Sequence, residues 1–270
     1  MTPAAETGAW SGRGLWRYRA DLAIRGDPVT LGEGGTPIIA YEKYRLKLEG
    51  ISPTGSFKDR GAATAITAAR AAGARTVVED SSGNAGSAIA AYAAAAGLRA
   101  RIFTPDDIVP VKARTIQVLG AELIKVSGPR SAVTEAALTA AREAYDAGHA
   151  RDDAFLEGTK TIAYELFEEL GEELHDVITP VGQGTVLIGL AMGFADLVSA
   201  GRIERAPRLH GVQSEACAPL VRGASIGRPA PPARTRWSRT PRATQARRSP
   251  PTPRPPGFER ASSRRTTSSR

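Results

Sequence analysis

From about Leu46 onward, short aliphatic and β-branched runs alternate with alanine-rich stretches, and this alternation restricts the possible folds more than any other feature. Candidate strands cover residues 45–49, 75–79, 100–104, 122–126, 176–180 and 208–213. Candidate helices cover 59–72, 85–96, 110–119, 131–147, 159–170 and 185–199. Strands separated by helices predict an α/β protein whose parallel sheets are covered by helices on both faces. Ligands of such sheets gather where strands end and helix N-termini begin.

The helices differ in the face they can offer to solvent. In 159–170, Ile162, Ala163, Leu166, Phe167 and Leu170 recur at helical spacing, Glu165, Glu168 and Glu169 fall largely on the other side, and Gly171 marks the stop. The segment 185–198 carries no charge until Asp196, which predicts burial around most of its circumference. Gly189 and Gly193 on that segment would admit a second backbone at close range.

Charge divides the chain in two. The formal net charge is +8, yet residues 228–270 hold twelve arginines, nine prolines and a single acid, Glu259. Residues 1–227 carry 24 basic and 27 acidic side chains, a net of −3. The body therefore does not read as a nucleic-acid binder. The 228–270 stretch lacks Leu, Ile, Val and Met, so it is expected to be disordered. One cysteine, Cys217, excludes a disulfide scaffold, and no Cys/His cluster has metal-ligand spacing. His149, His175 and His210 are scattered and read as surface or structural residues. No apolar stretch resembles a signal peptide or a membrane span, so a cytoplasmic protein with no membrane partner is expected.

Three loops could carry chemistry. In PTGSFKDRG (53–61), Ser56 and Asp59 match a capping box, with Ser56 as N-cap and Asp59 as third helical residue. Lys58 then lies in the first turn, where the helix dipole disfavours a cation and pushes the amine toward the neutral form that a Schiff-base lysine requires. The same spacing also suits a surface lysine beside Asp59. In SSGNAG (81–86), hydroxyls, an amide and glycines at a helix N-terminus can hold a carboxylate, although they are also ordinary turn formers. Gly182, Gln183, Gly184 and Thr185 join a strand to a helix and could cradle a phosphate. A lysine, a phosphate cradle and a carboxylate site together suit a pyridoxal-phosphate amino-acid enzyme.

At these residues the chain resembles the threonine synthase-like branch of the fold type II pyridoxal-phosphate enzymes, the superfamily of the tryptophan synthase β chain. The matching segments are LGEGGTP (31–37), KLEGISPTGSFKDRG (47–61), SSGNAG (81–86), EGTKTIAYE (157–165), PVGQGT (180–185) and GVQSEACAPL (211–220). The resemblance implies two parallel-sheet, three-layer domains. Residues 1–45 would begin the large domain, 46–147 form the small one, and 148–227 form an incomplete remainder of the large one, ahead of the 228–270 tail. It implies that Lys58 holds pyridoxal 5'-phosphate covalently and that Asn84 bonds its ring oxygen. Gly182, Gln183, Gly184 and Thr185 would bind its phosphate. Ser81, Ser82 and the amide of Ala85 would receive the substrate carboxylate. Lys58 would also shuttle the Cα proton. The implied activity is a lyase converting O-phosphohomoserine and water to threonine and phosphate. The implied partner is a small amino-acid substrate, and the implied assembly a homodimer.

The chain departs from the family pattern at three places. Gln183 stands where related loops often carry Asn. Threonine synthases hold the substrate phosphate with Asn and Arg ahead of the position of Glu157, where this chain reads Arg151-Asp152-Asp153-Ala154-Phe155. Beyond Leu220 the family's further strands, including a Ser or Thr for the pyridine nitrogen, give way to the Arg/Pro/Ser/Thr tail. Two alternatives follow: a serine/threonine dehydratase-like enzyme, and an inactive remnant whose tail is read out of frame from GC-rich DNA. The tail would bind polyanions without specificity, so no specific nucleic-acid partner is expected.

Overall fold

A computed structural model describes residues 10–220 and, for the backbone, 235–240. Three of the expected strands pair in parallel in a four-stranded sheet ordered β5-β4-β3-β6: β3 (Thr76–Glu79), β4 (Arg99–Pro105) and β5 (Glu122–Val126), with β6 (Tyr145–Asp146) as the fourth. Successive residues on a strand face opposite ways, and the burial follows. Val77 and Ile102 enter the core shared with α1 (Lys58–Ala71), α2 (Asn84–Ala95) and α3 (Pro110–Val118), whereas Val78 and Phe103 pack under Val133 and Ala137 of α4 (Arg130–Ala140). This sheet is covered on both faces, as the β/α alternation predicts.

A second parallel sheet contains β7 (Asp176–Pro180), β8 (Arg208–Ser214) and β9 (Thr235–Thr240) in that order. Its inner face meets α5 (Asp153–Leu170) and α6 (Thr185–Ser199) through Ile162, Leu166, Leu187, Leu190 and Leu209. On the outer face Ile178 is 61% exposed, so among the described residues only one side of this sheet is covered.

Four sequence expectations need correction. The segment 131–147 is not one helix: α4 stops at Ala140, and Tyr145-Asp146 pair with Val77-Val78 at the sheet edge. A two-residue strand is too short to show alternation, so its alanine-rich approach reads as more helix. Expected strand 45–49 is instead one arm of an antiparallel hairpin, β1 (Ile38–Tyr41) with β2 (Tyr44–Lys47). Burial of α6 is one-sided: Leu187, Leu190, Phe194 and Leu197 are buried, whereas Ile188 and Val198 are exposed. Lack of charge permits burial but does not supply a partner for the second face. Within the tail, 235–240 pairs in parallel with β8, because a ladder needs main-chain groups rather than aliphatic side chains. The rest of 228–270, and with it the expected disorder, lies outside the described residues.

The two glycines of α6 act as their spacing predicts. A Cβ on Gly193 would meet the carbonyl oxygen of Lys160 at 2.5 Å, and one on Gly189 would meet the carbonyl carbon of Thr159 at 3.0 Å. Helices α5 and α6 therefore approach backbone to backbone. Among the described residues no helix is long and apolar enough to cross a membrane, and no group of His, Cys, Asp and Glu could hold a metal ion.

Candidate active site

A cavity of ≈ 340 Å³ opens where β3, β6 and β7 end. Its walls include Lys58, Ser81, Asn84, Ala85, Gly182, Gln183, Gly184 and Thr185. Eight of the nine residues proposed from the sequence thus meet in one place, although they span 127 positions of the chain. Ser82 does not line the cavity.

Local chemistry sets Lys58 at the first turn of α1, by a different route from the expected capping box. Phe57, not Ser56, occupies the N-cap position, with no side-chain cap. Asp59 reaches back to Thr54, accepting from its N–H at 2.9 Å and its hydroxyl at 2.7 Å, while Ser56 Oγ accepts from the Lys58 N–H at 3.3 Å. The loop is wound tightly enough that Lys58 leaves it pointing at the start of α6. There Lys58 Nζ donates to Thr185 Oγ1 at 3.0 Å. The rings of Phe57 and Phe155 stand 4.8 and 5.4 Å from the same nitrogen. A Cβ at Gly61 would overlap the Phe155 ring, so that glycine makes room for the aromatic wall beneath the lysine.

The amine is held at a pKa of about 8, well below that of a free lysine. Burial is the main cause, and Glu79 opposes it. The rings of Phe57 and Phe155 contribute to that burial.

The donors for an anion come from two helix N-termini. Gly83 is the N-cap of α2 and Gly184 that of α6, and neither helix has a side-chain cap, so the first N–H groups of both remain for a ligand. Gly184 adopts φ 99°, a left-handed conformation that glycine takes without strain and that turns the 182–185 loop into α6. A Cβ on Gly182 would meet nothing within 4 Å, so that side of the loop faces open space. An amine of lowered basicity, an anion cradle at α6 and a second one at α2 match the aldehyde, the phosphate and the carboxylate that a pyridoxal-phosphate site must hold.

Sequence reasoning missed three residues at this site. His149 follows β6 and is 6% exposed; its Nδ1 lies 2.7 Å from Glu79 Oε1, its main-chain N–H donates to Glu79 Oε2 at 2.9 Å, and its Nε2 contacts Gln183 Oε1. Glu79, at the end of β3, is fully buried. Lys112, in the first turn of α3, lines the same cavity. A signal for His149 did exist: a residue just past a parallel strand lies where ligands bind. Reading 131–147 as one helix concealed that strand end.

The stretch ahead of Glu157 is occupied with its own structure. Arg151 bonds Asp146 through Nε and Nη2, both at 2.8 Å, and Asp80 through Nη1 at 2.9 Å. Asp152 caps α5 by accepting from the Ala154 N–H at 2.9 Å.

The description "Pyridoxal-phosphate dependent enzyme" belongs to the family whose sequence model matches residues 29–264. Threonine synthase of Mycobacterium leprae is 35% identical over 225 residues, covering 78% of this chain and 62% of the relative. Threonine synthase of Synechocystis is 34% identical over 247 residues, covering 85% and 63%. This chain therefore spans somewhat under two thirds of the length of these relatives. The crystal structure of O-acetylserine dependent cystathionine beta-synthase from Helicobacter pylori superposes with a TM-score of 0.60 at 25% identity, covering 73% of this chain and 68% of that one.

Proposed function

The chain belongs to the pyridoxal-phosphate dependent enzymes of fold type II, in their threonine synthase-like branch, and from that premise we propose that it is a lyase acting on an amino acid, with O-phosphohomoserine as substrate and threonine and phosphate as products. The observation that carries this reading is Lys58: a half-buried amine at a pKa of about 8, hydrogen-bonded to the first residue of α6 and facing two uncapped helix N-termini.

Bound pyridoxal phosphate supplies an aldehyde for an amine and a ring that draws electron density from the substrate's α-carbon. The protein's part is positional and electrostatic. The N–H groups of the 182–185 loop, at the positive end of α6, bind the cofactor's phosphate. Asn84 would hold the ring oxygen through its amide. Ser81 and the Ala85 N–H, without Ser82, would receive the substrate carboxylate and hold the Cα–H bond toward Lys58. Lys58 Nζ would take the proton from Cα and return it once phosphate has left and water has added to the substrate. Phe57 and Phe155 shield this amine from water and so leave about half of it neutral at pH 8. Lys112 supplies a cation on the cavity wall for a departing phosphate.

A serine/threonine dehydratase-like reaction is the second reading, and Arg151 favours it. Its guanidinium is taken up by Asp146 and Asp80, leaving no arginine from this stretch to clamp a substrate phosphate.

The test is direct. Purified full-length chain mixed with pyridoxal phosphate should develop a visible absorbance band that Lys58→Ala abolishes. The rate of its appearance should rise with pH around a midpoint near 8, because only the neutral amine reacts. O-phosphohomoserine should then yield threonine and inorganic phosphate in equal amounts. A 2-oxo acid and ammonia from threonine or serine would select the second reading, and a bound cofactor with no turnover of any of these amino acids would overturn the lyase assignment.

A further inference from the structure

His149 and Gln183 both line the cavity but come from different sheets, one following the end of β6 in the four-stranded sheet, the other between β7 of the three-stranded sheet and α6. Their side chains are in hydrogen-bond contact through Nε2 and Oε1. Behind the imidazole, Glu79 engages both Nδ1 and the main-chain N–H of His149. We propose that Glu79, His149 and Gln183 form a clasp between the two sheets, in which His149 as an imidazolium positions Gln183, and with it the 182–185 loop, for the phosphate of the cofactor. The inference rests on the reading that this loop binds that phosphate.

The donor inventory assigns the protons. A carboxylate accepts only, so Nδ1 facing Glu79 carries hydrogen. The amide oxygen of Gln183 also accepts only, so Nε2 facing it carries the second. With both protons on the ring, the NH2 group of Gln183 has no partner among the described residues and is left for an anion in the cavity. The reversed amide would donate to a bare Nε2 and turn its oxygen toward the phosphate, which repels it. The buried carboxylate of Glu79 balances the imidazolium charge. Around His149 the other charged groups are Lys58 on α1, which also feels Glu79, Lys112 on α3 in the same cavity wall, and the Asp80–Arg151–Asp146 cluster. From α5 the Phe155 ring packs edge-on at 6.0 Å. Glu79 is thus the only one of these groups bonded to the ring.

Comparing pyridoxal phosphate with pyridoxal isolates the phosphate contact from the bond to Lys58. For the full chain, Gln183→Leu and His149→Asn should each weaken pyridoxal phosphate binding about tenfold, as the loss of a charge-assisted bond does, and leave pyridoxal binding within about twofold. The double variant should be no weaker than either single one. An unchanged ratio of the two affinities, or effects that multiply in the double variant, would overturn the clasp. Gln183→Leu leaves the His149–Glu79 pair in place, so it remains informative if His149→Asn fails to fold. Nitrogen-15 spectra of the imidazole, recorded with inorganic phosphate in place of the cofactor, should show both ring nitrogens of His149 protonated and shifted by Gln183→Leu. A bare Nε2, or no response to that substitution, sinks the proposal even in a chain that takes up no cofactor, whereas failure of cofactor uptake alone sinks the functional reading.

Discussion

Two ionisable side chains near the site show burial acting in opposite directions. Lys58 is pushed down to about 8 and Asp152 up to about 6, each toward its neutral form. Lowered basicity serves Lys58 as a reacting amine. For Asp152 a raised pKa is a stability cost: the folded state binds the proton more tightly than the unfolded state, so stability is present at low pH and lost as pH rises through about 6. Its Oδ1 caps α5, while Oδ2 is buried without a partner. Asp152→Asn keeps a capping oxygen and has no charge to bury. It should raise stability by roughly 1 kcal/mol at pH 7.5 and give little or no gain at pH 5, measured by urea unfolding at both values.

At the scale of elements, what matters is how closely the helices beneath the site can approach. Gly193 lets α6 rest on the carbonyl of Lys160 in α5, and Gly61 in α1 accepts the Phe155 ring. Together these contacts bring the start of α6, which carries Thr185, within reach of the first residue of α1. Gly193→Ala should force α6 away from α5 and lower stability by about 1–3 kcal/mol, read from denaturant midpoints. A larger loss of pyridoxal phosphate affinity than of pyridoxal affinity should accompany it, because the 182–185 loop rides on α6. Most helices were legible from alanine content, spacing and end signals, but α4 ends at Ala140 and α5 begins at Asp153, ahead of the expected 159. Short β6 was not, since two residues carry no period, and with it went the location of His149.

Across the whole molecule, one buried ionic network ties together segments far apart in the chain. Glu165 on α5 accepts from Arg60 on α1 through both oxygens, at 2.8 and 2.7 Å, from the Gly35 N–H at 2.7 Å, and pairs with Lys47 of β2 at 2.9 Å. Glu49 bonds the other side of the Arg60 guanidinium. Glu165 is held near a pKa of about 2 by Arg60 and Lys47 against the effect of burial. Its folded pKa lies below the unfolded one, so the stabilisation is complete above about 4.5 and disappears as pH falls toward 2. Glu165→Gln should therefore cost about 3 kcal/mol at neutral pH, and the difference from the parent chain should shrink through that acid window in pH-dependent unfolding. From the sequence, Glu165 looked like part of a solvated acidic face, because helical spacing says which residues share a side but not what other segment covers it.

Local order determined the β/α alternation, the three loops at helix N-termini and the placement of Lys58 at the head of a helix, since each depends on neighbours within a few positions. Tertiary packing alone decided the desolvation of Lys58, the burial of Glu165 and the meeting of His149 with Gln183. These depend on which low-polarity walls and which charges residues more than thirty, and often more than a hundred, positions away bring to the same place, and no periodicity in a single segment encodes that distance.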